Sequence, residues 1–411
     1  MKLLFRDLVP DPAPALAKRP FTAGHQRMLA AGCSLLALAL LLYHSLAGGT
    51  LLADSPYDSY LLQAQNWLAG RCFIQDGSRY TWLELARYRG RYYLSFPPVP
   101  SVLALPFAAA GLSLGNLREA AFALALFAGV YLCFWQAGER PAGCAFWAGF
   151  VSLGSGVFWL SSSGGVWFQA QLLNLCFVMW GILLWQRRQY PAAFFLLALA
   201  VGCRPFSALL ALGLYLPALA WAVREKRFGE AARFSLPPLL VAFALGWYNL
   251  VRFGRLFEFG HRYLPEFMRA ENGQFSAAYF LNNLKNILRP VTLNAALDLE
   301  FPIFDGFMFF VANPLFLLWI LAMLKEARAR SFAGPDAVIL AGFLVSLGLL
   351  CLHRTMGGWQ FGARYTVDLL PYALLFFLRR GGRLRYGLFA CWLLAAGVLL
   401  NLYGAVYMLG M

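Results

Sequence analysis

Long apolar runs separated by short basic gaps leave this 411-residue chain few ways to fold. The first run, Met28 to Ala53, holds no Lys, Arg, Asp or Glu and exceeds the roughly 20 residues that an α-helix needs to cross a bilayer. Similar runs recur to the C-terminus, so that 61% of the residues are hydrophobic and 13% are charged. Because backbone groups in lipid must pair within their own helix, the pattern predicts an all-α polytopic membrane protein.

The basic residues predict the orientation. The formal net charge is +15, and most Lys and Arg lie between apolar runs, where a cytoplasmic bias accounts for them without a nucleic-acid partner. Lys18, Arg19 and Arg27 precede the first run, which is too long for a signal peptide and predicts a first transmembrane helix with a cytoplasmic N-terminus. Clusters at 186–189, 224–227, 325–330 and 379–383 are then also cytoplasmic, which gives about eleven transmembrane helices.

The predicted helices form a single domain over residues 1–411, without a separate soluble domain. After the first run they cover, in order, Arg118 to Ala137, Ala142 to Ser161, Val166 to Trp185, a pair within Ala192 to Val223 that turns at Arg204-Pro205, Leu236 to Val251, and four more towards the C-terminus. Two long outer segments, 53–117 and 252–306, connect them. The apolar stretch from Pro97 is short and rich in proline, so we expect it to lie on the membrane surface.

Two aspartates follow the first run, in LLADSPYDSYLLQAQNWLAG from Leu51 to Gly70. Ser55 suits a helix N-cap, Pro56 the first helical position, and Asp58 the third, from which an acid closes a capping box. Asp58 is therefore predicted to be structural. Asp54 has no such local role, and a shielded carboxylate there has the position of a general base, although a solvated helix end is the simpler alternative.

Several motifs together resemble the GT-C superfamily of bacterial integral-membrane glycosyltransferases, which includes protein O-mannosyltransferases and the aminoarabinose transferase of lipid A. Their order along most of the chain carries the resemblance. The motifs are the Asp-Ser at Asp54, the helix ending in Trp67-Leu68-Ala69-Gly70, GRYYLSFPPVPSVLALP from Gly90, VWFQAQLLN from Val166, YNLVRFG from Tyr248, FEFG from Phe257, FPIFDGFMFFVANPLFLL from Phe301 and GWQFGARYTVDLLP from Gly358.

The resemblance implies an enzyme of the bacterial inner membrane, with its active site on the extracytoplasmic side. It would take a sugar from a polyprenyl-phosphate donor, in contact with membrane lipids, and pass it to a lipid, glycan or protein acceptor. The resemblance implies an inverting transfer, and the family's first-loop aspartate, its general base, matches Asp54. Substrate-binding or phosphate-binding candidates are Arg204, Arg364, His353, Arg354, Gln360, His261, Glu84, Tyr93 and Trp167.

Some of these candidates have simpler interpretations. Arg204 could extend to the interface, Arg364 could pair with Asp368, and Glu84 could pair with Arg87 three residues on. The loop at 161–165 lacks the second acidic motif with which some GT-C enzymes hold a divalent metal, so no metal or other cofactor is expected. An oligosaccharide ligase or polymerase that uses a lipid pyrophosphate, and a non-enzymatic lipid or sugar transporter, remain alternative functions.

Overall fold

The computed structural model describes residues 20–296, 299–381 and 387–411. Lys18, Arg19 and the end of the basic cluster at 379–383 therefore lie outside the described residues. The helices of the bundle are α1 (Ala23–Leu46), α4 (Leu117–Ala137), α5 (Pro141–Ser152), α6 (Val157–Leu160), α7 (Val166–Gln186), α8 (Tyr190–Val201), α9 (Ala208–Arg224), α10 (Phe228–Phe253), α13 (Phe309–Ala312), α14 (Leu315–Arg328), α15 (Gly334–Leu352), α16 (Leu370–Leu378) and α17 (Leu388–Tyr407).

The two outer segments hold the remaining elements. The first contains α2 (Ser59–Leu68), a hairpin of β1 (Leu85–Tyr88) and β2 (Arg91–Leu94), and α3 (Val99–Ala109). The second contains α11 (Pro265–Met268), α12 (Phe280–Leu288) and the two-residue strands β3 (Thr292–Leu293) and β4 (Leu299–Glu300). Both strand pairs are antiparallel. Since helices account for nearly all regular structure, the predicted all-α polytopic class is confirmed.

Seven helices of the described residues are long and apolar enough to cross a membrane. The other predicted spans are present as shorter or broken helices. The first helix ends at Leu46 and not at Ala53, because Gly48 and Gly49 both adopt φ of 81° and turn the chain out of the helix. The predicted helices Arg118 to Ala137 and Val166 to Trp185 and the pair within 192–223 are found at or near their expected bounds.

The predicted third helix, Ala142 to Ser161, is broken in the structure between Ser152 and Val157. At the break, the Gly156 N–H donates to Asn313 Oδ1 over 3.0 Å. Asn313 itself lies in the gap between α13 and α14. Gly154 packs against Gly397 so closely that a methyl group on Gly397 would lie 2.5 Å from the Gly154 carbonyl oxygen. The break is therefore held by the Asn313 side chain and by close packing on α17, and hydropathy reveals neither contact.

Helix α7 lies at the centre of the bundle, with 83% of its most apolar stretch buried, against 17% for α10 at the periphery. It packs on α4 and α8. The short α3 packs on α2, and its 11 residues reach only about 16 Å, roughly half of the hydrocarbon thickness. This length fits the expectation that the segment from Pro97 does not span. The outer segments thus cover one end of α7, where the polar residues gather.

Candidate active site

Asp58 begins α2, but not in the way the sequence predicts. It is the N-cap itself, since helix α2 starts at Ser59 and the Asp58 carboxylate accepts from the Leu61 N–H over 3.1 Å. The predicted capping box with Ser55 at the cap is therefore wrong. Pro56 lies in a turn closed by the Asp58 N–H and the Ser55 carbonyl, which delays the helix by three residues.

The Asp58 carboxylate is fully engaged by neighbouring groups. Arg118 Nη2 donates to Oδ2 over 2.8 Å, and Gln169 Nε2 donates to Oδ1 over 2.9 Å. Arg118 also donates to the fully buried Glu119, whose second oxygen has no partner among the described residues. One guanidinium thus faces two carboxylates in an environment that excludes water. We call Asp58, Arg118, Glu119 and Gln169 the acidic cluster.

Asp54 is placed differently. Its side chain is exposed, and the hydrogen bond found for it in the described structure comes from the Ser113 hydroxyl. Gly115, two residues beyond Ser113, packs against the Ala53 carbonyl, which explains why this pair of loops stays together. Asp54 therefore lies at the rim of the site, and its role as base remains a prediction.

Arg204 lies at an apolar turn, where a charge needs a counter-ion, and the carboxylate of Asp368 provides it. Its Nε and Nη2 donate to Asp368 Oδ2 over 3.0 and 2.9 Å, and its guanidinium carbon lies 4.8 Å from the centre of the Tyr365 ring. The pairing of Asp368 with Arg364 considered from the sequence is therefore wrong, because Asp368 serves Arg204. The other oxygen of Asp368 is buried without a partner in the part of the chain that is described.

Arg364 is buried and incompletely paired. Nη2 donates to the Gly357 carbonyl over 2.8 Å, whereas Nε and Nη1 are buried and find no acceptor among the described residues. Its guanidinium carbon lies 5.6 Å from the Phe168 ring centre. Gln360 holds the loop in this shape, since its Oε1 accepts from the Arg364 N–H over 2.7 Å. Unpaired buried N–H groups of a cation mark a place for an anionic ligand.

Glu84 lies close enough to Arg364 to be stabilised by its charge, and the Trp167 indole hydrogen-bonds to it. Burial nevertheless raises the pKa of Glu84 above its ordinary value, with a smaller contribution from repulsion by Glu266. Trp167 in turn packs on Tyr57 with ring centres 5.4 Å apart. No ion pair between Glu84 and Arg87 is present among the described residues, so this alternative for Glu84 is wrong.

Two histidines close the site on the side of the second outer segment. The pKa of His261 is lowered to about 3, mainly by burial and to a smaller extent by the neighbouring His353 and Arg204. His353 Nδ1 lies 2.8 Å from the Thr355 carbonyl oxygen and Nε2 lies 3.3 Å from Gln274 Nε2, an arrangement satisfied by a neutral ring protonated on Nδ1. Both histidines are therefore neutral hydrogen-bonding groups at pH 7.

Arg354 and Tyr93 lie further from the arginine pair. Arg354 Nη1 donates to the Glu266 carbonyl and so ties two outer segments together. Tyr93 is buried in the hairpin, with its ring centre 5.2 Å from that of Phe253. The structure therefore brings together Glu84, Trp167, Arg204, Arg364, Gln360, His261 and His353, and places Asp54, Arg354 and Tyr93 around them.

Tyr60 links the acidic cluster to the arginine pair. Its hydroxyl is buried without a partner among the described residues and lies within electrostatic range of both Asp58 and Arg204. Ser95 Oγ, Gln171 Oε1 and Asn174 Nδ2 are likewise buried and unpartnered there. Unsatisfied buried polar atoms of this number at one end of α7 are groups that a polar ligand would pair with. In the described ranges, no group of three or more His, Cys, Asp or Glu could hold a metal ion.

Comparisons with known proteins give a match in structure alone. Neither models of protein families nor curated protein sequences match the chain. The oligosaccharyltransferase of Archaeoglobus fulgidus in the apo form superposes with a TM-score of 0.53 at 14% identity, over 94% of this chain and 56% of that one. The chain shares the fold of this oligosaccharyltransferase.

A second solved structure, ArnT from Cupriavidus metallidurans in the apo state, gives a TM-score of 0.45 at 16% identity, over 87% of this chain and 60% of that one. The chain spans less than two thirds of either structure. At identities this low, structural similarity shows a shared fold alone, and the chemistry has to be argued from the residues of the site.

Sequence reasoning missed Arg118, Gln169 and Tyr60. Arg118 looks like an ordinary charge at the start of a span, and Gln169 like one polar residue in an apolar helix. Their adjacency to Asp58 depends on α2 folding back over α4 and α7, 60 and 111 residues away along the chain. The sequence did contain a signal for a further contact at Arg118. Arg118 and Glu119 form a charged pair in the first turn of a membrane helix, and such a pair is costly to bury without another partner.

Proposed function

We propose that the chain is a GT-C-type membrane glycosyltransferase that moves a sugar from a polyprenyl-phosphate donor to a lipid, glycan or protein acceptor on the extracytoplasmic face of the bacterial inner membrane. The observation that carries the proposal is the buried Arg364 guanidinium, whose Nε and Nη1 have no acceptor among the described residues. The fold similarity supports the proposal without deciding the substrate.

Arg364 is assigned to the leaving phosphate. A guanidinium presents paired N–H groups that match two phosphate oxygens. Nη2 uses one of its two hydrogens on the Gly357 carbonyl, so its other hydrogen can form such a pair with the unpartnered Nε or Nη1. Arg204 is neutralised by Asp368 and contributes less charge, although it fixes Tyr365, the ring that lies beside both arginines.

Glu84 is the carboxylate whose surroundings best suit a general base. Its raised pKa gives it more affinity for a proton than an ordinary glutamate has, and it lies within electrostatic range of Arg364. Asp58 is already held by three donors, which favours a positioning role. Asp54, the base implied by the family resemblance, is kept as the competing assignment.

In the proposed glycosyl transfer, the acceptor O–H or N–H gives its proton to the carboxylate while its oxygen or nitrogen attacks the anomeric carbon of the donor sugar. The bond from that carbon to the phosphate oxygen breaks, and polyprenyl phosphate leaves with both electrons of that bond. Arg364 stabilises the charge that grows on the phosphate. Attack opposite the leaving group inverts the anomeric configuration.

The test is a donor assay with the purified full chain in detergent. Polyprenyl monophosphate sugars are incubated with the protein and a membrane extract as acceptor, and release of polyprenyl phosphate is followed. We expect Glu84→Gln to lower the rate by about 10²–10⁴-fold and Arg364→Gln by about 10²–10³-fold. The matched control, Arg269→Gln at an exposed arginine of the second outer segment, should keep full rate.

The remaining arms separate the alternatives. Loss in Asp54→Asn with full activity in Glu84→Gln would return the base to Asp54. Consumption of a lipid pyrophosphate oligosaccharide in place of the monophosphate would mean a ligase or polymerase. Transport of lipid-linked sugar across proteoliposomes without any bond cleavage would overturn the enzymatic proposal.

A further inference from the structure

Helix α12 in the second outer segment turns its polar side towards the protein and its apolar side outwards. Asn283 and Asn286 are only 3% and 5% exposed, whereas Leu281 and Leu288 are 67% and 41% exposed. In a loop surrounded by water the opposite orientation is favourable, because leucine gains by burial and asparagine by hydration. The orientation of α12 therefore depends on what surrounds the helix.

Asn283 holds the first half of α12 at the end of a membrane span. Its Nδ2 donates to the carbonyl oxygens of Cys351 over 2.9 Å and of His353 over 2.6 Å. Cys351 belongs to the last turn of α15, which is long and apolar enough to cross a membrane. Carbonyls of a last turn have no partner within their own helix, and the Asn283 amide supplies one. This half of α12 thus lies at the depth at which α15 leaves the membrane.

The other end of α12 is held by a different span. The Arg289 carbonyl, directly after α12, accepts from the Met308 N–H over 3.0 Å, and Met308 directly precedes α13. Helices α13 and α14 together form one broken span that begins on this side of the bundle. Between the two anchors, Ile287 is fully buried. Since both ends of α12 are bonded to ends of spans, its axis runs along the plane of the bilayer.

The span beneath α12 meets lipid further into the membrane. Helix α12 packs on α15. Leu344 lies seven residues before Cys351, which is two turns away on the same side of α15, and it is 55% exposed. The outward side of α12 therefore continues a surface that faces lipid.

The outward face of α12 combines apolar and basic side chains. Leu281, Lys285 and Leu288 follow one another at spacings of four and three residues, which place them on one face of the helix. Arg289 lies beside this face, and its Nη2 donates to the neutral Asn286 side chain over 2.6 Å. In the described ranges no carboxylate pairs with Lys285 or Arg289. An apolar face bordered by uncompensated basic residues is typical of helices that lie in the interface of anionic membranes.

We propose that the outward face of α12, formed by Leu281, Lys285 and Leu288 with Arg289 at its border, lies in the membrane interface on the side of the outer segments and contacts anionic phospholipid. The leucines enter the boundary of the acyl chains, and the basic side chains extend to the phosphate groups. The depth of both anchors favours lipid over a protein partner. The contact does not depend on the proposed glycosyl transfer.

The first experiment identifies the medium around the helix. The full chain, with Cys33, Cys72 and Cys391 replaced by alanine so that the remaining native thiols are buried, carries a bimane label at Leu281→Cys or Asn282→Cys in lipid nanodiscs. Both positions are exposed, but they point about 100° apart around the helix. We expect nitroxide lipids to quench the Leu281→Cys label at least about twofold more strongly than the Asn282→Cys label, and dissolved iodide to do the reverse.

Thermal unfolding checks that each labelled variant is folded, and Leu288→Cys repeats the measurement at the other end of α12. Equal quenching of the leucine and Asn282→Cys labels by nitroxide lipids, or stronger iodide quenching at the leucines, would place the face in water and overturn the proposal. Protection of the leucine positions from both quenchers would mean that protein covers the face, which would overturn it as well.

The second experiment tests the charge of the lipid. With the label at Leu281→Cys, the nitroxide is carried by phosphatidylglycerol or by phosphatidylcholine at equal mole fraction. We expect phosphatidylglycerol to quench at least about 1.5-fold more strongly, and this preference to be lost in Lys285→Gln/Arg289→Gln. The matched control Arg87→Gln/Arg269→Gln removes the same charge from two exposed arginines of the outer segments and should keep the preference. No preference before substitution, or an unchanged one in Lys285→Gln/Arg289→Gln, would overturn the proposal.

Discussion

Replacing Arg118 by Met tests whether the acidic cluster holds the first outer loop on the bundle. Arg118 Nη2 and Asp58 Oδ2 are 2.8 Å apart, a distance at which two unit charges attract by about 6 kcal/mol at an effective dielectric constant near 20. Desolvation offsets much of this attraction. Removing the arginine leaves Asp58 and Glu119 buried without a counter-charge, so we expect unfolding to become easier by about 3–5 kcal/mol.

The assay is unfolding of the purified protein in detergent by denaturant, followed by tryptophan fluorescence. Arg118→Lys keeps the charge but loses the planar fork, and should cost about 1.5–3 kcal/mol, the contribution of one charge-assisted hydrogen bond. Arg87→Met, at an exposed arginine of β1, should stay within about 0.5 kcal/mol of the parent. A loss in Arg118→Met no larger than that of Arg87→Met would refute the reasoning.

Three further predictions concern pH and backbone shape. Transfer activity should fall as the pH decreases through the raised pKa of Glu84. In Glu266→Gln the acid limb of the kcat/KM profile should move to lower pH, because the repulsion that helps to raise this pKa is gone. An unmoved limb would contradict the assignment of Glu84 as the base. The pKa of His261 is lowered to about 3 in the folded protein, from an ordinary value of 6.5. Its contribution to stability should therefore be complete above about pH 6.5 and be lost as the pH falls towards 3. Thermal unfolding should show a shallower loss in His261→Gln. Gly362→Ala imposes a φ of 71° on alanine and places its methyl group 2.7 Å from the Ala312 methyl group. Its free energy of unfolding should fall by about 1–3 kcal/mol more than that of Gly254→Ala, where φ is 69° but no atom lies near the new methyl group. Equal denaturation midpoints for the two variants would argue against this packing.

Hydropathy and charge predicted the helices well because each depends on local composition. Helices α4 and α7 lie within one residue of their predicted bounds, and the turn at Arg204 falls where the sequence placed it. The failures are at points where tertiary contacts override apolar composition. The break before Val157 depends on Asn313, more than 150 residues away, and no local pattern carries that information.

The candidate site was harder to predict because its ion pairs are long-range. The sequence singled out Arg204 and Arg364 as candidate phosphate-binding residues, and the structure places both beside the Tyr365 ring. The sequence could not show that Asp368 would pair with Arg204 and leave Arg364 incompletely paired. Either arginine could have formed an ion pair with this carboxylate, and only the folded structure decides which one does. Capping logic distinguished the two aspartates of the opening loop, and the structure keeps that distinction while making Asp58 the cap in place of Ser55.

The short helix α16 can lie inside the bundle without meeting lipid. Its nine residues extend about 14 Å, well short of a hydrocarbon core of about 30 Å, and eight of the nine are buried against protein. A lipid-facing helix of this length would have to deform the bilayer around it. Because protein surrounds α16 instead, the helix can begin at the 3₁₀ turn Arg364–Leu369, and the loop of Arg364 occupies the length that a full span would fill without deforming the membrane.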